Sequence, residues 1–373
     1  MKKAVIVSLS IILGLVLLAS ACKPKAAPAT PTLAAAPAAK AAPPGWDKVV
    51  AEARKEGKLT IYSTFSVPSF QTGFNKAVQD KYGIQIEWVV NAGAVNAEKL
   101  RVEQTAGKPM GDIYHGGYGA TIPLLEAGFL VDFRPPIIDM EPNVWTVDMF
   151  PYVKEYVATH QPPIHPLVVN TRLVKPEDYP KRYTDLLDPK WKGKMNMHDP
   201  SIMGIGSSQF MMMEEKEGLQ YWEKMAQQEL RLIRSYAETV RRVAVGEDFL
   251  TLLALPSMLE EYLAQGASIK PLAMQDTNFV NFGGMHLMKN APNTNAAKVV
   301  INFFLSKEGQ EFVSLLGESS IRKDVPFKGH PLMAEAKNNI KTEWLISLAA
   351  IEKMRVDVVG DSGKAAKILG KPR

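Results

Sequence analysis

Between residues 46 and 117 the chain alternates helical and strand patterns at short range, and this alternation restricts the fold more than any other feature of its 373 residues. In WDKVVAEARKEG the apolar residues Trp46, Val49, Val50 and Ala53 recur at i, i+3, i+4 and i+7, and Gly57 stands where a helix stops. LTIYS follows as a strand. A second helical pattern over 70–82 stops at Gly83 and leads into IQIEWVV; a helix to Ala106 and the strand DIYH complete the series. Helices placed between successive strands give a parallel α/β sheet. In such sheets ligands sit beyond the carboxyl ends of the strands, so the chemistry is expected in STFS (63–66), NAGAVN (91–96) and HGGYG (115–119).

Those loops offer hydroxyls, an amide, glycines, an imidazole and a phenol, and no acid. The plain reading of each glycine is that it turns the chain. Three such loops on one sheet edge also bring free N–H groups toward a ligand's oxygens. Ser63, Thr64, Asn91, Gly93, His115 and Tyr118 are therefore the candidate ligand contacts on this side, with Tyr118, a phenol among glycines, the foremost.

Some 330 residues beyond position 45 are long for one core and suit two lobes. A composition of 46% hydrophobic and 22% charged residues excludes a disordered chain. The formal charge of +5 arises from 44 basic and 39 acidic residues without a basic block, so nucleic acid is not an expected partner. In the second half, DPSIMGIGSSQFMMMEE reads as a strand exit, a Gly/Ser loop and an apolar helix start. Ser207 or Ser208 can cap that helix, whose N-terminus attracts anions, and both stand equally as candidate ligand contacts. Met211, Met212 and Met213 read as core, since Met fills irregular gaps. In LRLIRSYAET, Tyr236, Glu238 and Thr239 fall in another strand-end loop, which adds Tyr236 and Thr239 to the candidate contacts.

No GxSxG, HExxH, GxxxxGK[ST] or GxGxxG occurs. His160 and His165 lie in HQPPIHP, whose prolines forbid a helical i, i+4 pair, and the expectation is a surface turn and no metal site. The chain carries a single cysteine, Cys22. It follows Lys2, Lys3, an apolar run over 4–18 and the small residues Ala19, Ser20 and Ala21, the build of a secretory signal peptide. That junction resembles the bacterial lipobox, with Ala19 where Leu usually stands, and the resemblance implies that Cys22 carries a lipid. The Ala/Pro-rich stretch after it cannot form a core and reads as a tether.

EARKEGKLTIYST, KLRVEQTAGKPMGDIYHGG, LLEAGFLVDF, YTDLLDPKWKGKMNMHDP, AVGE and NAAKVVINFFLSKEGQEFV, in this order, resemble the motif series of bacterial extracellular solute-binding proteins of the ferric-binding-like group, which serve ABC importers. The resemblance implies a two-lobed α/β fold of the type II periplasmic-binding kind, each lobe a mainly parallel sheet flanked by helices and joined by a hinge. PLVVNTRLV (166–174) would then be one hinge crossing, and the stretch around Asn278 and Asn281 the return. The expected division is a signal peptide over 1–21, a lipid-anchored linker over 22–45, lobe one over 46–165 and 279–330, and lobe two over 166–278 and 331–373.

Ferric-binding members hold iron with adjacent tyrosines after the GE motif. Here that place falls on Leu255, Pro256 or Ser257, and the group's carboxylate falls near Gly116 or Gly117. Neither donor is present. The expected function is capture of a small organic or oxyanionic solute, without cofactor or metal, by a monomer that delivers it to ABC permease subunits from a membrane-anchored, periplasmic or cell-surface position. Fe(III) with a synergistic anion is the second reading, and a secreted α/β hydrolase is a third from another class.

Overall fold

The structure, a computed structural model, describes residues 40–64, 67–161, 164–340, 343–345 and 347–370. The expected signal peptide, Cys22 and nearly all of the linker lie outside the described residues, as do residues 65–66 of the first loop.

In chain order the strands are β1 (Lys58–Ser63), β2 (Gln85–Val90), β3 (Ile113–Gly117), β4 (Leu130–Val131), β5 (Val157–Ala158), β6 (Leu167–Asn170), β7 (Met195–His198), β8 (Arg231–Ile233), β9 (Leu250–Thr251), β10 (Ile269–Leu272), β11 (Phe279–Val280), β12 (Gly283–Met288) and β13 (Trp344–Leu345). One sheet has the order β2-β1-β3-β12-β4, with β5 also on β12; a second has the order β10-β6-β9-β7-β8; β11 pairs with β13. The strands that carry the three predicted loops are parallel, Ser63 lying beside both Val90 and His115. β12 returns antiparallel to β3.

Local chemistry sets the first half. Helix Trp46–Glu56 ends at Gly57 (φ 66°) and helix Pro68–Tyr82 at Gly83 (φ 72°), each glycine's N–H closing onto a carbonyl of the last turn. The left-handed conformation is open to glycine without the Cβ penalty. Leu59, Ile61 and Ile113 are buried under Phe70, Phe74, Phe303 and Phe304. The ring centroids of Phe74 lie 5.3 and 5.4 Å from those of Phe303 and Phe304. The second sheet has its own core of Met195, Met197, Phe210 and Trp222, and Met211, Met212 and Met213 lie fully within it as expected.

The chain passes between the sheets twice in this region, from β5 to β6 and from β10 through β11 to β12. The two passages touch at an antiparallel bridge between Ile164 and Val280. Asn278 occupies both backbone groups of Met274, each at 2.8 Å. Helix Pro331–Asn338 packs on β10, with Met333 beside Val168 and Ile269. Helices Leu348–Lys353 and Lys364–Leu369 close over the second core through Ile351 and Ala365.

Two expectations are corrected. Tyr236, Glu238 and Thr239 form the first turn of a helix, Tyr236–Val245, whose cap is Ser235, accepting from the Glu238 N–H. His160 and His165 are not on a surface turn: they lie between β5 and β6, where the chain passes from one sheet to the other, and both are buried.

Candidate functional site

In the first sheet, helices Gly93–Thr105 and Tyr118–Glu126 start within a few residues of the ends of β2 and β3. In the second, helices Ile205–Glu217, Tyr236–Val245 and Pro256–Ala264 start beyond β7, β8 and β9. The opening residues of all five helices border one cavity of about 100 Å³, Gly93, Tyr118, Ile205, Tyr236 and Ser257 among them. The first N–H groups of a helix have no intrahelical partner, and its dipole places positive potential there.

Thr64, Gly93, His115, Tyr118, Ser208 and Tyr236 border the cavity. Ser63, Asn91, Ser207 and Thr239 do not, because each short side chain serves nearby groups. The Ser63 hydroxyl lies 3.1 Å from Nδ1 of His115 and is fully buried. Asn91 donates to Oδ1 of Asn96. Ser207 Oγ accepts from the Gly204 N–H at 2.9 Å, and the Thr239 hydroxyl donates to the Tyr236 carbonyl at 2.7 Å.

The glycines are there for space. Gly93, Gly116, Gly117 and Gly119 have no positive φ. A Cβ on Gly116 would strike the Tyr114 hydroxyl, and one on Gly206 the backbone carbonyl of His198. At Gly93 and Gly206 a helix start closely approaches a strand, whereas Gly116 makes room for the Tyr114 ring of its own strand, Gly119 for Met203, and a Cβ on Gly117 would meet nothing nearer than 3.7 Å.

Residues that sequence reasoning did not select complete the wall: Tyr152, His160, His165, Ser257, Asn281 and Glu318. Nε2 of His165 and Oδ1 of Asn281 are 2.7 Å apart, joining the two passages. Tyr152 accepts the N–H of Phe282, while the Tyr156 hydroxyl donates to that residue's carbonyl at 2.7 Å. The legible hint was the expected place of Asn281 at the return crossing; HQPPIHP was read as a surface turn, and nothing local to Glu318 marked it.

Among the described residues, no lysine or arginine borders the cavity, and Glu318 is its one carboxyl. Burial pushes His115 down to about 3, with His160 and His286 adding to the effect. Burial likewise holds His160 and His165 near 4. These rings are neutral at pH 7. Burial, helped by Glu260, lifts Glu318 to about 8 against the opposing hydrogen bond from the Ser257 N–H. Burial also raises Tyr236 to about 12, and its oxygen accepts the Ile205 N–H. The site thus presents neutral donors and helix ends.

Among the described residues no group of three or more His, Cys, Asp or Glu side chains is placed to hold a metal ion. Leu255, Ser257, Gly116 and Gly117, the positions expected from the resemblance to correspond to the ferric-binding donors, border the cavity.

Two α/β sheets facing a cavity of helix N-termini define the two-lobed periplasmic-binding fold. The structure is similar to the periplasmic binding protein AfuA from Actinobacillus pleuropneumoniae with fructose-6-phosphate bound, at TM-score 0.64 and 22% identity, over 78% of this chain and 89% of that one. Iron-bound HitA from Pseudomonas aeruginosa gives TM-score 0.63 and 18% identity, over 84% and 97%. A putative 2-aminoethylphosphonate-binding periplasmic protein of Salmonella typhi is 26% identical over 297 residues, 71% of this chain and 80% of that protein. An uncharacterised protein of Haemophilus influenzae is 25% identical over 287 residues, 73% and 79%. The profile of the bacterial extracellular solute-binding protein family matches residues 155–343. The chain belongs to that family.

Proposed function

We propose that this protein captures a small oxyanionic solute, a phosphonate, phosphate ester or carboxylate, in the cavity between its sheets and delivers it to the permease subunits of an ABC importer. The observation that carries this reading is the meeting of five helix N-termini on one cavity with no lysine or arginine among the described residues of its wall. Helix ends compensate an anion without a side-chain cation. A cavity of about 100 Å³ holds several waters' volume and so a small solute. Two of the named proteins support this chemistry, since 2-aminoethylphosphonate and fructose-6-phosphate both carry a tetrahedral phosphorus oxyanion, whereas HitA is iron-bound.

The contacts are Thr64, Gly93, His115 and Tyr118 from lobe one (46–165 and 279–330) and Ser208 and Tyr236 from lobe two (166–278 and 331–373). The chain is exported, cut before Cys22 and anchored there by lipid. It acts without cofactor as a monomer. Fe(III) is disfavoured as cargo because a hard trivalent ion needs several anionic oxygens, and the wall offers one carboxyl that burial keeps protonated. Hydrolysis is disfavoured because Ser63, the serine beside His115, is fully buried and His115 shares its other nitrogen with Thr159 at 3.4 Å, not with an acid.

Thermal-shift screening against phosphonates, phosphate esters, carboxylates and ferric citrate tests the reading, because a ligand bound only by the folded state raises its melting point. Phosphorus oxyanions should give the largest shift. A shift with ferric citrate alone would overturn the proposal.

A further inference from the structure

Glu318 stands apart from everything else in the cavity wall. It is 2% exposed. One carboxyl oxygen, Oε2, has no hydrogen-bond partner among the described residues, and the carboxyl takes the Ser257 N–H at the start of helix Pro256–Ala264. An unpaired buried polar atom is costly, and an ionised acid here would oppose the anion that the helix ends attract. A ligand with a cationic end resolves both features.

We propose that Glu318 receives an ammonium group, so that the solute is a zwitterion whose oxyanion faces the helix N-termini and whose charged nitrogen pairs with this carboxylate; the assignment rests on the anion-binding reading above. The groups around Glu318 leave this role open. Nδ1 of His160 lies 4.0 Å from Oε2, but it donates to the Gln161 carbonyl, and burial keeps the ring neutral. Glu260, on helix Pro256–Ala264, is a second acid and binds the His330 N–H. The Lys337 ammonium donates to Oγ of neighbouring Ser319 at 2.7 Å. Without a cation the Glu318 carboxyl keeps its proton at pH 7, lifted to about 8 by burial. An arriving ammonium favours the carboxylate, and the proton leaves to solvent, so binding releases close to one proton.

The test is calorimetric titration of the purified protein and of Glu318→Gln with 2-aminoethylphosphonate and with ethylphosphonate, at pH 7 in two buffers of different ionisation heat. The carboxamide retains an oxygen for the Ser257 N–H. The wild type should prefer the amine by about 10- to 100-fold, the range for a hydrogen bond to a charged group, with proton release. In E318Q both the preference and the release should vanish. Equal affinity of the wild type for the two ligands, or a preference that persists in E318Q, overturns the ammonium assignment and leaves the anion reading standing. Binding of neither ligand overturns both. Should E318Q fail to fold, the wild-type preference and its proton count decide.

Discussion

The rings of Tyr118 and Tyr152 stack with centroids 4.6 Å apart and planes 25° from parallel. Tyr152 in turn meets Tyr156 edge-on at 5.3 Å. Tyr118 is only 8% exposed, so its ring is both a packed side chain and part of the cavity wall. The sequence suggested a phenol with little beside it, and the segment just before β5 supplies the neighbour.

Tyr118→Phe keeps the stack and isolates the hydroxyl; Tyr118→Ala removes both. Loss of one hydrogen bond to a charged ligand should cost about 1.5–3 kcal/mol, one to two decades of affinity. Only the alanine variant should also lose stability, by about 0.5–1.5 kcal/mol for the aromatic pair beyond the lost burial. Calorimetry and melting curves separate the two effects. Wild-type affinity in both folded variants would remove Tyr118 from the site.

Gly206 tests the helix-end geometry. A methyl group there meets the His198 backbone carbonyl, which cannot swing aside as a side chain would. Gly206→Ala should therefore displace the start of helix Ile205–Glu217, cost about 1–3 kcal/mol as overpacking does, and weaken ligand binding at least tenfold. Gly266→Ala meets no atom within 4 Å but has φ +74°; it should lose stability alone. Equal affinity in the two variants would argue against the helix end.

Stability should fall in acid. His115, His198 and His286 are held near 3 and His160 and His165 near 4, chiefly by burial. Each folded value lies below the ordinary 6.5, so the unfolded chain takes up protons first as pH drops. Their contribution is present above about pH 6.5 and is lost progressively toward pH 3. Glu318 runs the other way: its raised value makes the folded state less favoured as pH climbs from 4.5 to about 8. Calorimetric melting points should thus peak near pH 6.5; a flat profile from pH 7 to pH 4.5 would contradict the buried neutral rings.

Cys22→Ala should release the protein from membranes in a bacterial host. Membrane association equal to wild type, with the signal peptide shown to be removed, would reject lipidation.

What the sequence made legible was local. Gly57 and Gly83 stop helices where the apolar period ends, and the loops after β1, β2 and β3 meet the cavity because a parallel sheet brings its strand ends to one edge. Which polar side chain turns inward was not legible. Asn91, Ser207 and Thr239 have backbone or amide partners within a few residues, and short side chains take those first. Glu318, Tyr152 and the two histidines reach the cavity through contacts distant in sequence, which no period or motif encodes.

Selective labelling of the glycines with nitrogen-15 tests the central claim most directly, because Gly93, Gly117, Gly119 and Gly204 sit at the helix starts that border the cavity, while Gly57 and Gly83 cap helix ends elsewhere. Titration with the phosphonate or phosphate ester that gives the largest thermal shift should move the amide resonances of the first set and leave Gly57 and Gly83 in place. Unmoved helix-start glycines at saturating oxyanion would contradict the account.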